Sequence, residues 1–160
     1  MPDAATPLIV PALGALYDAL APWADAAVRA VVGLALVPHG MRAYFGWFAG
    51  TGARVLDYAA MAAALERSGY KPGRLWAGVV AAILFGAGPL LALGLLTRPA
   101  ALVVFVFLAL SALDHARFDG YFWNRLGLEY PLIWAAGALF FVIHGGGAIS
   151  LDRLLLGREF

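Results

Sequence analysis

The chain has 160 residues, of which 63% are hydrophobic and 13% charged, with a formal net charge of +1 and no cysteine. Soluble domains carry about 25% charged residues, so the composition excludes a disordered chain, an ordinary soluble enzyme and a nucleic-acid binder with a basic face. The lack of cysteine excludes a disulfide framework, a thiol redox centre, a cysteine-ligated iron–sulfur cluster and a covalently attached haem. Mean hydropathy is +0.83, which leaves an all-α integral membrane protein of one ordinary domain as the expected class.

In chain order, Leu13, Leu16, Tyr17 and Leu20 recur at helical spacing. They predict a short N-terminal interfacial amphipathic helix within residues 1–25. That stretch lacks a basic start and carries Asp3 and Asp18, so it does not read as a cleavable signal peptide. A first span is expected over about 26–48, apolar except for Arg29, His39 and Arg42. Gly50-Thr51-Gly52 then precedes a helical run from Ala53 to Ser68, ended by Gly69 and Pro72. Leu56, Ala59, Ala60 and Ala63 give that run an apolar face, with Arg54, Asp57 and Arg67 off it, which predicts an interfacial or re-entrant helix.

The clearest span is Leu75–Thr97, uncharged between Arg74 and Arg98. At 1.5 Å per residue it reaches about 34 Å, enough for a hydrocarbon core of about 30 Å. Pro89 lies inside it, which membrane helices tolerate. Thr97-Arg98-Pro99 reads as a tight turn with Pro99 opening a third span, about 99–118. A fourth begins at Glu129-Tyr130-Pro131 and ends near residue 145, where Gly145-Gly146-Gly147 stops it. The expected architecture is a four-helix membrane bundle over residues 26–160, without internal repeats. Seven Lys or Arg fall on the side of the 49–74 and 118–128 segments and four on the side of the termini. Positive residues favour the cytoplasm, which predicts cytoplasmic loops and external termini.

Ionisable groups within a bilayer cost about 2.5–3.5 kcal/mol each and usually face a bundle interior or a wet cavity. Antiparallel threading brings His39, Arg42, Asp114, His115 and Glu129 to one side of the membrane. Ser111, Asp114 and His115 share one helix face, as do His39 and Arg42. One reading is a polar pocket in which Arg42 pairs with Asp114 or Glu129 and a histidine exchanges protons. Such a set suits a quinone head group, with Trp47, Trp76, Phe122 and Trp123 as walls. The other reading has the same charges pinning helices at the interface, with the aromatics as an ordinary belt. His39 and His115 as axial ligands of a b-type haem would differ in depth, and no clustered spacing suits a metal. His144 falls at the opposite end of the fourth span.

Pro38-His39-Gly40-Met41-Arg42 with Phe45-Gly46-Trp47-Phe48 resembles the end of the first helix in the DoxX family of small membrane proteins. Gly69, Gly94-Leu95-Leu96-Thr97-Arg98, Gly120-Tyr121-Phe122-Trp123, Glu129-Tyr130-Pro131 and Ser150-Leu151-Asp152 follow in that family's order. The resemblance covers about residues 27–155. It implies a four-helix protein of the bacterial inner membrane, an oxidoreductase label, and relatives tied to quinone-linked sulfur oxidation and oxidative-stress complexes. His39, Arg42 and Glu129 lie in the matching motifs. Three functions follow as expectations: a quinone-interacting redox component, a non-catalytic subunit of a larger respiratory or photosynthetic complex, and a small-molecule transporter or sensor. The expected partners are the lipid bilayer and other membrane or redox proteins, or a second copy of the chain, with no nucleic acid.

Overall fold

The computed structural model describes residues 7–48, 50 and 57–158. Its regular elements are helical. After a 3-10 turn at Pro11–Leu13, α1 runs Gly14–Leu34 and α2 Leu36–Phe45. A short α3 covers Tyr58–Arg67; α4 is Gly73–Ala82, α5 Gly88–Leu93, α6 Thr97–Phe118 and α7 Glu129–His144. No helix begins near Ala26, where the first span was expected to open. The chain passes that point inside α1, with Pro22 in the same helix. Pro11–Phe45 is long and apolar enough to cross a membrane, as are Gly73–Leu93 and Thr97–Phe118. The fourth apolar helix has 16 residues, about 24 Å, which falls short of a full hydrocarbon core. The expected four spans are therefore three of spanning length and one shorter apolar helix.

Pro89 explains a local departure from the expected straight second span. A proline lacks an N–H and its ring crowds the carbonyl four residues earlier, here that of Phe85. The backbone widens into a π turn over Ile83–Ala87 just before it, joining α4 to α5 without ending the helix. Gly94, at φ +70°, stops α5. Thr97, rather than Pro99, is the first residue of α6, and Pro99 occupies its first turn.

Packing follows helical period. Ala100, Ala101, Val104, Leu108 and Ala112 form the buried face of α6, and Ala135, Ala138 and Phe141 that of α7. Val32, Leu36, Val80, Leu84 and Leu91 complete the core. Small residues let backbones approach, as expected where the surroundings are themselves apolar. A Cβ on Gly33 would strike the Gly88 carbonyl and stand 2.6 Å from the Ala92 nitrogen, so α1 meets α5 backbone to backbone. The outward faces are apolar too: Leu102, Val103, Val106 and Leu110 on α6, and Leu132, Ile133, Leu139 and Ile143 on α7 are exposed. A surface of this kind suits contact with lipid.

In the connecting segment, Asp57 caps α3 by accepting from the Ala60 N–H at 2.7 Å. Leu56 and Arg54 lie outside the described residues. The buried face of α3 is Ala62, with Leu65 packed against the core, whereas Ala59 and Ala63 are exposed. The shift is one of partner. Gly73 opens α4 so closely under α3 that a Cβ there would meet the Ala62 carbonyl, and this contact selects the inward face.

Candidate functional site

Aromatic and carboxylate contacts gather the C-terminal part of α2, the α3–α4 pair and the C-terminal part of α6 at one end of the molecule. The Tyr44 hydroxyl donates to the Ala77 carbonyl at 2.5 Å. The Tyr58 hydroxyl donates to the Arg74 carbonyl at 2.6 Å, and the Tyr44 and Tyr58 rings lie 6.1 Å apart. Tyr70, just before α4, brings its phenol under the charge of Asp114 near the end of α6. Burial pushes that phenol above its ordinary value; the negative charge of Asp114 acts the same way, against Arg117.

His39 and Arg42 lie one turn apart on α2 and, with Pro38 and Phe48, line an open cleft of about 190 Å³. Pro38, His39 and Phe48 are exposed, so the cleft opens on the flank of a membrane-crossing helix. The acids have their own neighbours. Asp114 lies 3.6 Å from the Arg117 guanidinium, one turn on. Its Oδ1 is buried and finds no hydrogen-bond donor among the described residues. His115 Nδ1 lies 3.1 Å from Asp119, also one turn on. Glu129 opens α7 and accepts the Trp123 N–H at 3.1 Å. The predicted walls face outward: Trp47 is 55% exposed and Trp123 54%. Trp47 sits beside Phe45 and Trp123 stacks on Tyr130 at 5.4 Å, as in an interfacial aromatic belt. Trp76 and Phe122 are exposed as well. No group of three His, Asp or Glu among the described residues could hold a metal ion.

Among the described residues, the most deeply buried polar cluster lies at the other end. Arg29 of α1, only 3% exposed, donates to the Gly146 carbonyl, to Ile149 at 2.7 Å and to Ala92 at 3.5 Å. The Asp152 carboxylate accepts the Leu96 N–H at 2.7 Å, the Thr97 N–H at 2.8 Å and the Thr97 hydroxyl at 2.7 Å. Its own N–H donates to the Gly94 carbonyl at 2.8 Å. Burial pushes the Asp152 carboxyl up. The hydrogen bonds from Thr97 and Leu96 and the nearby Arg29 charge more than reverse this, leaving it below the ordinary carboxylate value. Asp152 is thus an N-cap delivered to α6 from the far end of the chain. Gly94 and Gly146 make room: a Cβ on the first would stand 2.6 Å from the Arg29 guanidinium carbon, and on the second 2.6 Å from the Thr97 hydroxyl.

Local sequence offers Arg29 no partner. The available signal was a cation inside an apolar span, which requires acceptors, together with the Gly94–Arg98 and Ser150–Asp152 motifs. Those two motifs bind each other. His144 stays apart from both clusters, stacked on Phe140 at 3.9 Å.

The DoxX family pattern matches residues 24–117. No curated protein and no solved structure matches the chain.

Proposed function

The chain belongs to the DoxX family, and from that premise we propose that this membrane protein is a quinone-interacting redox component of a bacterial inner-membrane complex, with external termini and cytoplasmic loops. The observation that carries the reading is the cleft lined by Pro38, His39, Arg42 and Phe48 on the flank of a membrane-crossing helix. A lipophilic quinone travels in the hydrocarbon and must enter from the side. Its ring carbonyls need hydrogen-bond donors. Arg42 is a permanent donor, and His39 can donate or accept. Pro38 and Phe48 offer apolar contact to the ring edge.

The cleft is smaller than the roughly 300–1,000 Å³ of sites that enclose a whole ligand. It fits a head group with its tail left in lipid. A bound quinone would supply two-electron, two-proton chemistry. Of the remaining candidates, His115 and the buried oxygen of Asp114 can hold or pass a proton at the same end, and Glu129 fixes the loop entering α7. Trp47 and Trp123 serve the interface instead of walling a closed pocket.

The test is extraction of the protein, purified in mild detergent, followed by separation and spectroscopy of the lipids. The expected result is co-purified quinone that is depleted in His39→Ala and Arg42→Gln. Absence of quinone from the wild type, with no effect of His39→Ala or Glu129→Gln on reduction of added quinone in membranes, overturns the reading.

A second reading, a non-catalytic subunit of a larger membrane complex, is favoured by α1. Leu16, Tyr17, Leu20 and Trp23 in its first half are all at least half exposed, and a partner helix could cover them. Co-purification of another membrane protein, lost on Leu16→Ser/Leu20→Ser, would support it.

A further inference from the structure

The segment after α7 carries a second concave surface, at the end of the molecule away from His39. It is an open pocket of about 340 Å³ lined by Gly147, Ala148, Arg153, Gly157 and Arg158. Gly147 and Gly157 have φ of +70° and +64°, and a Cβ on either would meet nothing within 4 Å. Two glycines without side chains and two arginines therefore share the lining of the pocket. Neither arginine forms an ion pair with a carboxylate among the described residues.

The position of this pocket is fixed. Asp152, next to Arg153, is hydrogen-bonded to the first residue of α6. The Arg98 guanidinium binds the carbonyls of Val142 and Ile143 at the end of α7. The Ser150 hydroxyl donates to the Gly147 carbonyl at 2.9 Å and accepts the Arg153 N–H at 3.3 Å. The pocket thus sits where one apolar helix starts and another stops, at the level of a membrane–water boundary. The π turn Asp152–Leu156 places Leu154, Leu155 and Leu156 beside the two arginines. They are 76%, 64% and 45% exposed.

We propose that this C-terminal pocket binds the phosphate of an anionic phospholipid, with Arg153 and Arg158 on the head group and Leu154–Leu156 among its acyl chains. Guanidinium groups bind phosphate oxygens in pairs of parallel hydrogen bonds. Three adjacent exposed leucines are costly in water and favourable in the acyl region. The combination of two arginines with three adjacent exposed leucines selects a lipid over a soluble phosphate.

The experiment places the full chain in nanodiscs of mixed phosphatidylglycerol and phosphatidylcholine, then counts retained lipids by native mass spectrometry after release into detergent. Wild type should retain phosphatidylglycerol in preference to phosphatidylcholine. The preference should fall about fivefold for each arginine changed to glutamine. Arg153→Lys/Arg158→Lys should keep most of it. Leu154→Ser/Leu155→Ser should weaken retention of both lipids. Equal retention of the two lipids by wild type, or an unchanged preference in Arg153→Gln/Arg158→Gln, overturns the proposal. So does displacement of the retained lipid by millimolar inorganic phosphate, which would mark a soluble-anion site. Thermal unfolding of each variant in detergent separates loss of binding from loss of fold.

Discussion

A single oxygen of Asp152 accepts both the backbone N–H and the hydroxyl of Thr97, at 2.8 and 2.7 Å. The carboxylate that opens the C-terminal π turn thereby closes the first turn of α6, 55 positions earlier in the chain. Arg29 lies close by and ties α1 to the same loops, so three separate stretches meet in one buried cluster.

Loss of this cap should be costly. Asp152→Ala leaves the Leu96 and Thr97 donors without acceptors in a buried site, at about 1–3 kcal/mol for each orphaned group. The variant should unfold at least 8 °C below wild type in detergent, while Asp18→Ala on exposed α1 changes little. A melting temperature within 2 °C of wild type would show that the cap contributes nothing.

The same group sets an acid limit. Its folded-state pKa lies below the ordinary value of about 3.9, so its contribution is complete above that value and is lost as pH falls through the folded pKa. Melting curves for wild type and Asp152→Asn should be well separated at pH 7 and converge as pH falls below about 3.9. A gap that stays constant on acidification would contradict the assignment.

Backbone contact between α1 and α5 should tolerate no side chain. Gly33→Ala places a Cβ against the Gly88 carbonyl and the Ala92 nitrogen, and overpacking of this kind costs about 1–3 kcal/mol. Gly86→Ala, where a Cβ meets nothing within 4 Å, should be neutral or slightly stabilising. Equal thermal stability of the two variants would refute the close approach.

Tyr70 should titrate late. Its partly buried phenol faces the charge of Asp114, so the absorbance rise near 295 nm on alkaline titration should include a component above the usual pKa of about 10. Tyr70→Phe should remove one tyrosine's amplitude from that late component, and Asp114→Asn should move it earlier. If neither variant alters the late component, the charge of Asp114 does not act on Tyr70.

Much of the architecture was legible in residues. Leu75–Thr97 was marked as membrane-crossing by lack of charge, and the glycine run after His144 ended α7 as its backbone cost predicts. The limits of α1 were not legible, because Arg29 inside the helix reads locally as a reason to begin or end a span. Only its three carbonyl acceptors, the farthest 120 residues away, make its burial affordable. Similarly, Asp114, His115 and Glu129 suggested a converging site. Each has a partner within about a turn or in an adjoining loop, which periodicity alone does not rank against distant partners.

The sequence by itself determined that the chain is helical, lipid-facing and sparing with charge, since these follow from composition and local period. Tertiary structure decided which charges are buried and which helix face is inside. A carboxylate can remain ionised in an apolar protein only where donors converge, and here the donors on Asp152 come from a turn that only the folded chain brings to it.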